Sequence, residues 1–101
     1  MNWRVTQTDR EAGVVLLACP GLNWDSFPVL AEALVEGWEL IPLEREWGAD
    51  RHSWLLEVEG SRLRLEYEQH SGCWLEAAHP DDREEVLWLG RQHSAASSHK
   101  D

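Results

Sequence analysis

The sequence predicts a single two-layer α+β domain, a mainly antiparallel sheet in ββαββββα order with two helices packed on one face. Three observations predict it. Apolar and polar residues alternate through the middle of the chain, glycine-bearing turns separate the alternating runs at hairpin spacing, and two further stretches carry helix start and stop signals.

The alternation is clearest in "HSWLLEVEGSRLRLEYEQHSGCWLEA". Trp54, Leu56 and Val58 fall on one side of the first run, and Leu55, Glu57 and Glu59 on the other. After Gly60-Ser61, Leu63, Leu65 and Tyr67 alternate with Arg62, Arg64, Glu66 and Glu68. Gly-Ser suits a two-residue type II′ hairpin. Closing it pairs Glu59 with Arg62, Glu57 with Arg64, Val58 with Leu63, Leu56 with Leu65 and Trp54 with Tyr67. Each of these pairs matches charge or apolarity across the strands. "HSG", residues 70–72, then predicts a three-residue loop that sets Gln69 opposite Cys73, Tyr67 opposite Leu75 and Leu65 opposite Ala77. Cys73 thereby faces the core, while Trp74 and Glu76 face outward.

Upstream, "NWRVT" and "GVVLLAC" predict another hairpin. "DSFPVLAEALVEG" predicts a helix capped by Asp25 or Ser26, with Pro28 in its first turn and Gly37 just past its end. Phe27, Leu30, Ala31, Leu34 and Val35 form its apolar stripe. "WELIPLE" predicts a short strand whose Pro42 requires a sheet edge or a bulge. In "HPDDREEVLWLGRQ" the run "VLWL" suits a strand or a helix. Pro80 with Asp81 and Asp82 favours a helix start, where acidic side chains meet the positive dipole end.

With 101 residues the chain is expected to form one domain over 1–92, followed by a disordered polar tail over 93–101 ("SAASSHKD" at its end). Nine basic residues against 19 acidic ones give a net charge of −10, which repels nucleic-acid phosphates and suits a basic partner. The N-terminus lacks an apolar signal core and no run approaches a membrane span, so a cytoplasmic protein is expected. Two cysteines imply no disulfide framework. Seven tryptophans are unusual for 101 residues, and since Trp anchors both cores and binding hot spots, some of them are expected at an interface.

In "CPGLNWDSF", Cys19 ends a strand and faces a helix start, as many nucleophiles do. Asp25 opposes its thiolate, Pro20 lacks an N–H for an oxyanion hole, and no second cysteine follows at redox spacing. The stretch therefore predicts a structural corner, with Trp24 and Phe27 seating the helix. A metal alternative combines Cys19, His70, Cys73 and His79, though H-x2-C-x5-H matches no common zinc spacing. The acidic run Asp81, Asp82, Glu84 and Glu85 reads as a solvated surface.

The outer sheet face remains. Trp74 and Leu55 point outward among Glu57, Glu66, Glu68, Glu76, Arg62 and Arg64, an apolar centre with a charged rim.

"CPGLNWDSFP" followed by "SWLLEVEGSRLRLEYEQHSGCWLEA" resembles a family of small bacterial proteins, a domain of unknown function. The likeness covers most of residues 3–79. It implies a small bacterial cytoplasmic protein and assigns no catalytic or binding residue.

The expected function is non-enzymatic binding or regulation through the Trp-bearing sheet face or an exposed strand edge, with no cofactor. Trp74 and Leu55 would be anchors, and Glu66, Glu68 and Glu76 would select a basic protein partner or a second copy in a homodimer. The alternative is a thiol- or metal-dependent activity centred on Cys19, assisted by Cys73, His70 or His79.

Overall fold

The structure of the protein, a computed structural model, describes residues 2–99, with side chains through residue 92. Its elements are β1 (Arg4–Asp9), β2 (Val14–Ala18), α1 (Phe27–Gly37), β3 (Ile41–Trp47), β4 (Arg51–Val58), β5 (Ser61–Glu68), β6 (Gly72–Ala77), a 3₁₀ turn (Pro80–Asp82) and α2 (Arg83–His99). The six strands form one antiparallel sheet in the order β1-β2-β6-β5-β4-β3. This is the predicted α+β fold in ββαββββα order, and the "VLWL" run is helical. The expected tail over 93–101 lies outside the described residues, wholly at 100 and 101 and for the side chains at 93–99.

The inward face carries Val15, Leu17, Trp54, Leu56, Val58, Leu63, Leu65, Tyr67, Cys73 and Leu75, all within one core cluster. Phe27, Leu30, Ala31 and Leu34 of α1 and Val86 and Leu89 of α2 join the same cluster, so both helices cover this face. The faces agree with the alternation, but both hairpin registers are shifted by two residues. Leu56 pairs with Leu63, Glu57 with Arg62 and Val58 with Ser61, which makes Glu59-Gly60 the turn in place of Gly60-Ser61. Both turn residues are left-handed, at φ 49° and 85°, as a type I′ turn requires. Across the next hairpin Tyr67 pairs with Cys73 and Leu65 with Leu75. A two-residue shift keeps every side chain on its face, so face patterning alone does not distinguish the two registers.

At the corner before α1, Pro20-Gly21 fill the centre of a turn closed by Leu22 N–H donating to the Cys19 carbonyl at 3.0 Å. Gly21 has φ 80°, the left-handed value that position three of a type II turn needs. Ser26 is the N-cap residue, yet its hydroxyl turns back to accept from the Asn23 N–H at 2.9 Å and makes no cap bond to the helix. At the other end Gly37 is still helical and Trp38 is the C-cap. The left-handed residue is Glu39, at φ 56°, and Leu40 N–H donates to the Val35 carbonyl at 2.9 Å in a Schellman-type close.

β3 is an edge strand with a bulge between Pro42 and Glu44, so both expectations for Pro42 hold. The proline and the charges of Glu44, Arg45 and Glu46 blunt this edge against further pairing. Arg45 reaches inward across the sheet rim, 4.5 Å above the Trp54 ring and 3.4 Å from Glu32 of α1.

Trp24 and Phe27 do seat the helix, and they do so around a histidine. His52 is 5% exposed, stacks on Phe27 at 4.7 Å and lies 4.7 Å from the Trp24 ring. Its Nε2 bonds the Trp24 carbonyl at 2.9 Å, and the Trp24 indole N–H donates to the Gly48 carbonyl at 2.8 Å. The corner, α1 and the β3–β4 turn are thus tied together by one aromatic stack.

Candidate binding face and cleft

With both helices on the inner face, the opposite face of the sheet is uncovered by any helix. Its centre is built from four adjacent strands. Cross-strand pairing sets Ser53 opposite Glu66, Glu66 opposite Trp74, and Trp74 opposite Leu16 of β2. One row along, Leu55 faces Arg64 and Arg64 faces Glu76. Trp74, Glu66, Glu68 and Glu76 all lie on this face, as the alternation predicts, and all are half-buried.

Leu55 departs from expectation. It is on the outer face but only 9% exposed, held in register between Glu44 and Arg64. Long side chains cover apolar neighbours with their methylene stems, which leaves Leu55 little surface to offer as an anchor. Two strand spacings, about 10 Å, also separate its strand from that of Trp74. The apolar neighbour of Trp74 is instead Leu16, 36% exposed, which the alternating pattern of a continuous apolar run could not single out.

Polar contacts order the face. The Ser53 hydroxyl donates a short hydrogen bond to Glu66 and accepts from Arg64 Nη1 at 3.5 Å. The Trp74 indole N–H donates to Glu76 at 2.7 Å. Burial pushes the Glu66 carboxyl above its ordinary range and the nearby Glu76 adds to this, while the Ser53 hydroxyl, Arg64 and Arg51 pull the other way. Glu68 is held below the ordinary range by the Ser71 hydroxyl and by backbone N–H groups of the β5–β6 loop.

Beside these residues the β3–β4 hairpin and the sheet enclose a cleft of about 390 Å³. Ser53, Arg64, Glu66 and Glu76 form its half-buried floor. Glu46, Trp47 and Arg51 form its exposed rim, Trp47 being 68% exposed. The rim eluded sequence reading because β3 continues to Trp47 and β4 begins at Arg51, both beyond the runs that alternation marks.

The alternative ligand set is not assembled. His70 and His79 lie beyond opposite ends of β6, roughly 20 Å of strand apart. His79 Nδ1 accepts from the Asp81 N–H at 3.2 Å and so caps the 3₁₀ turn. Among the described residues no group of three or more His, Cys, Asp or Glu is placed to hold a metal ion. Cys73 is buried and its thiol is pushed up to about 12, chiefly by that burial. The Cys19 thiol is raised as well, again by burial. Neither is a ready thiolate at neutral pH.

Over residues 3–94 the chain matches the family described as Protein of unknown function (DUF3630). The chain belongs to that family. No curated protein and no solved structure matches it. The DUF3630 match takes in every strand of the sheet, so the outer face and the cleft are parts of the family's domain. Among the described residues of this DUF3630 member, no helix is long and apolar enough to cross a membrane.

Proposed function

We propose that this is a small bacterial cytoplasmic protein without catalytic activity, which binds a basic protein partner, or a second copy of itself, through the outer face of its sheet. Trp74 is the anchor, with Leu16 beside it, and Glu66, Glu68 and Glu76 select the partner by charge. The observation that carries this reading is an ordered face without a helical cover. A half-buried tryptophan there is oriented by Glu76, next to an exposed leucine and inside a rim of carboxylates. An apolar centre with a polar rim is the anatomy of an interface, and the net charge of −10 favours encounter with a basic surface.

The thiol- or metal-centred alternative draws no support from the geometry, since burial raises both thiols and the ligand set is dispersed.

The test is quantitative affinity capture from the cells that make the protein, paired with sedimentation velocity for self-association. The expected result is a salt-sensitive association that Trp74→Ala abolishes and Glu66→Gln combined with Glu76→Gln weakens, in proteins that remain folded. An association indifferent to all three substitutions would sink the reading.

A further inference from the structure

We propose that the cleft between the β3–β4 hairpin and the outer sheet face binds a zwitterion of amino-acid size, with its ammonium on Glu66 and Glu76 and its anionic group on Arg51. The cleft's volume of about 390 Å³ lies within the range of small-molecule sites. Its walls bring together charged groups of both signs, and the polar contacts of the floor go to neutral groups. Glu66 is held by Ser53, Glu76 by the Trp74 indole, and Arg64 by Ser53. Each charged group is therefore oriented by a neutral partner, and Arg64 and Arg51 offset only part of what burial and Glu76 cost an ionised Glu66.

The mixture of signs selects the ligand class. A simple cation would meet Arg51 and Arg64 as well as the carboxylates, and a simple anion would meet three glutamates. A molecule carrying both charges, a few ångströms apart, satisfies the carboxylates of the floor and the arginine of the rim together, each through a charge-assisted bond. Burial and the proximity of Glu76 both disfavour an ionised Glu66, and an ammonium between the two carboxylates would offset that cost. This inference goes beyond the protein-partner reading, although Glu66 and Glu76 serve both.

The test is a titration of isotopically labelled protein with an equimolar mixture of the proteinogenic amino acids, followed by amide and indole resonances. Two control mixtures are the carboxyamides, which lack the anion, and the N-acetyl derivatives, which lack the ammonium. Saturable shifts are expected at the amides of Arg51, Ser53, Glu66 and Glu76. Affinity should fall about tenfold or more with either control, the loss of one charge-assisted bond. Arg51→Gln, at an exposed position, and Glu66→Gln should each reproduce that fall, while Leu16→Ser, on the partner face outside the cleft, should retain ligand binding and weaken partner association. No saturable shift at the cleft, or equal binding of the capped mixtures, overturns the inference and leaves the partner reading to its own test.

Discussion

Glu66 is the residue on which the outer face turns. Its carboxyl is held above the ordinary value of 4.5 by burial, against the opposing pull of Ser53. A raised native value means the folded state binds the proton more tightly than the unfolded chain. The resulting stabilisation is complete below the ordinary value and is lost as pH rises through the raised one. Glu66→Gln should remove this dependence, so the variant gains on the wild type as pH rises across that window, as chemical denaturation on either side of it would show. The carboxyl midpoint, read by carbon NMR, should lie above 4.5 and move down in Glu76→Gln, because Glu76 contributes to the shift. A midpoint at or below 4.5 would mean that Glu66 is more solvated than its place on the floor implies. Cys73 makes a second residue-scale prediction. With its thiol pushed up to about 12, it should resist alkylation in the native protein at neutral pH and react only on unfolding. Rapid native labelling of Cys73 would contradict its buried placement.

Among the elements, the β4–β5 and β1–β2 turns make the sharpest tests. Glu59 adopts φ 49° in the β4–β5 turn, a conformation costly for glutamate and natural for asparagine. Glu59→Asn should therefore stabilise the protein by about 0.5–1 kcal/mol in a denaturant midpoint, on the scale of other backbone-compatible turn substitutions. If the turn were Gly60-Ser61, as the sequence suggests, Glu59 would be an ordinary strand residue and the change would bring no gain. The β1–β2 turn is locked differently. Gly13 has φ 70°, and a Cβ there would clash with Cγ of Arg83, whose Nη1 donates to the Glu11 carbonyl at 3.1 Å. Gly13→Ala should cost about 1–3 kcal/mol, the scale of local backbone strain. Arg83→Ala in the same chain removes the Cγ and Cδ clash and should recover most of the steric part of that loss, leaving the left-handed part. The number of strands, their ββαββββα succession with both helices, and the faces were legible in the sequence because hydrophobic periodicity reports which side of an element is wet. Register was not, since Leu56 finds an apolar partner in Leu63 as readily as in Leu65, and Glu57 an arginine in Arg62 as readily as in Arg64. Turn strain at Glu59 and the loop contacts of Glu68 lie outside any such pattern.

For the whole molecule, one layer of helices over a six-stranded sheet leaves a broad polar face with Trp74 near its middle. The orientation of Trp74, Glu66 and Glu76 was legible, because alternation places side chains on faces. The burial of Leu55, the exposure of Leu16 and the cleft at Trp47 were not, because they depend on which strands lie side by side. His52 was likewise hidden. It stands at a core-facing position of β4, and only the approach of Trp24 and Phe27 from the corner and α1 encloses it. Association through the outer face is checked by hydroxyl-radical footprinting. Trp88, 45% exposed on α2, serves as an internal control on the opposite side of the sheet. On association, by self-assembly or with captured partner, Trp74 should be protected from oxidation while Trp88 reacts as in the free protein. Protection of Trp88 with Trp74 unchanged would place the interface on the helical side and contradict the account.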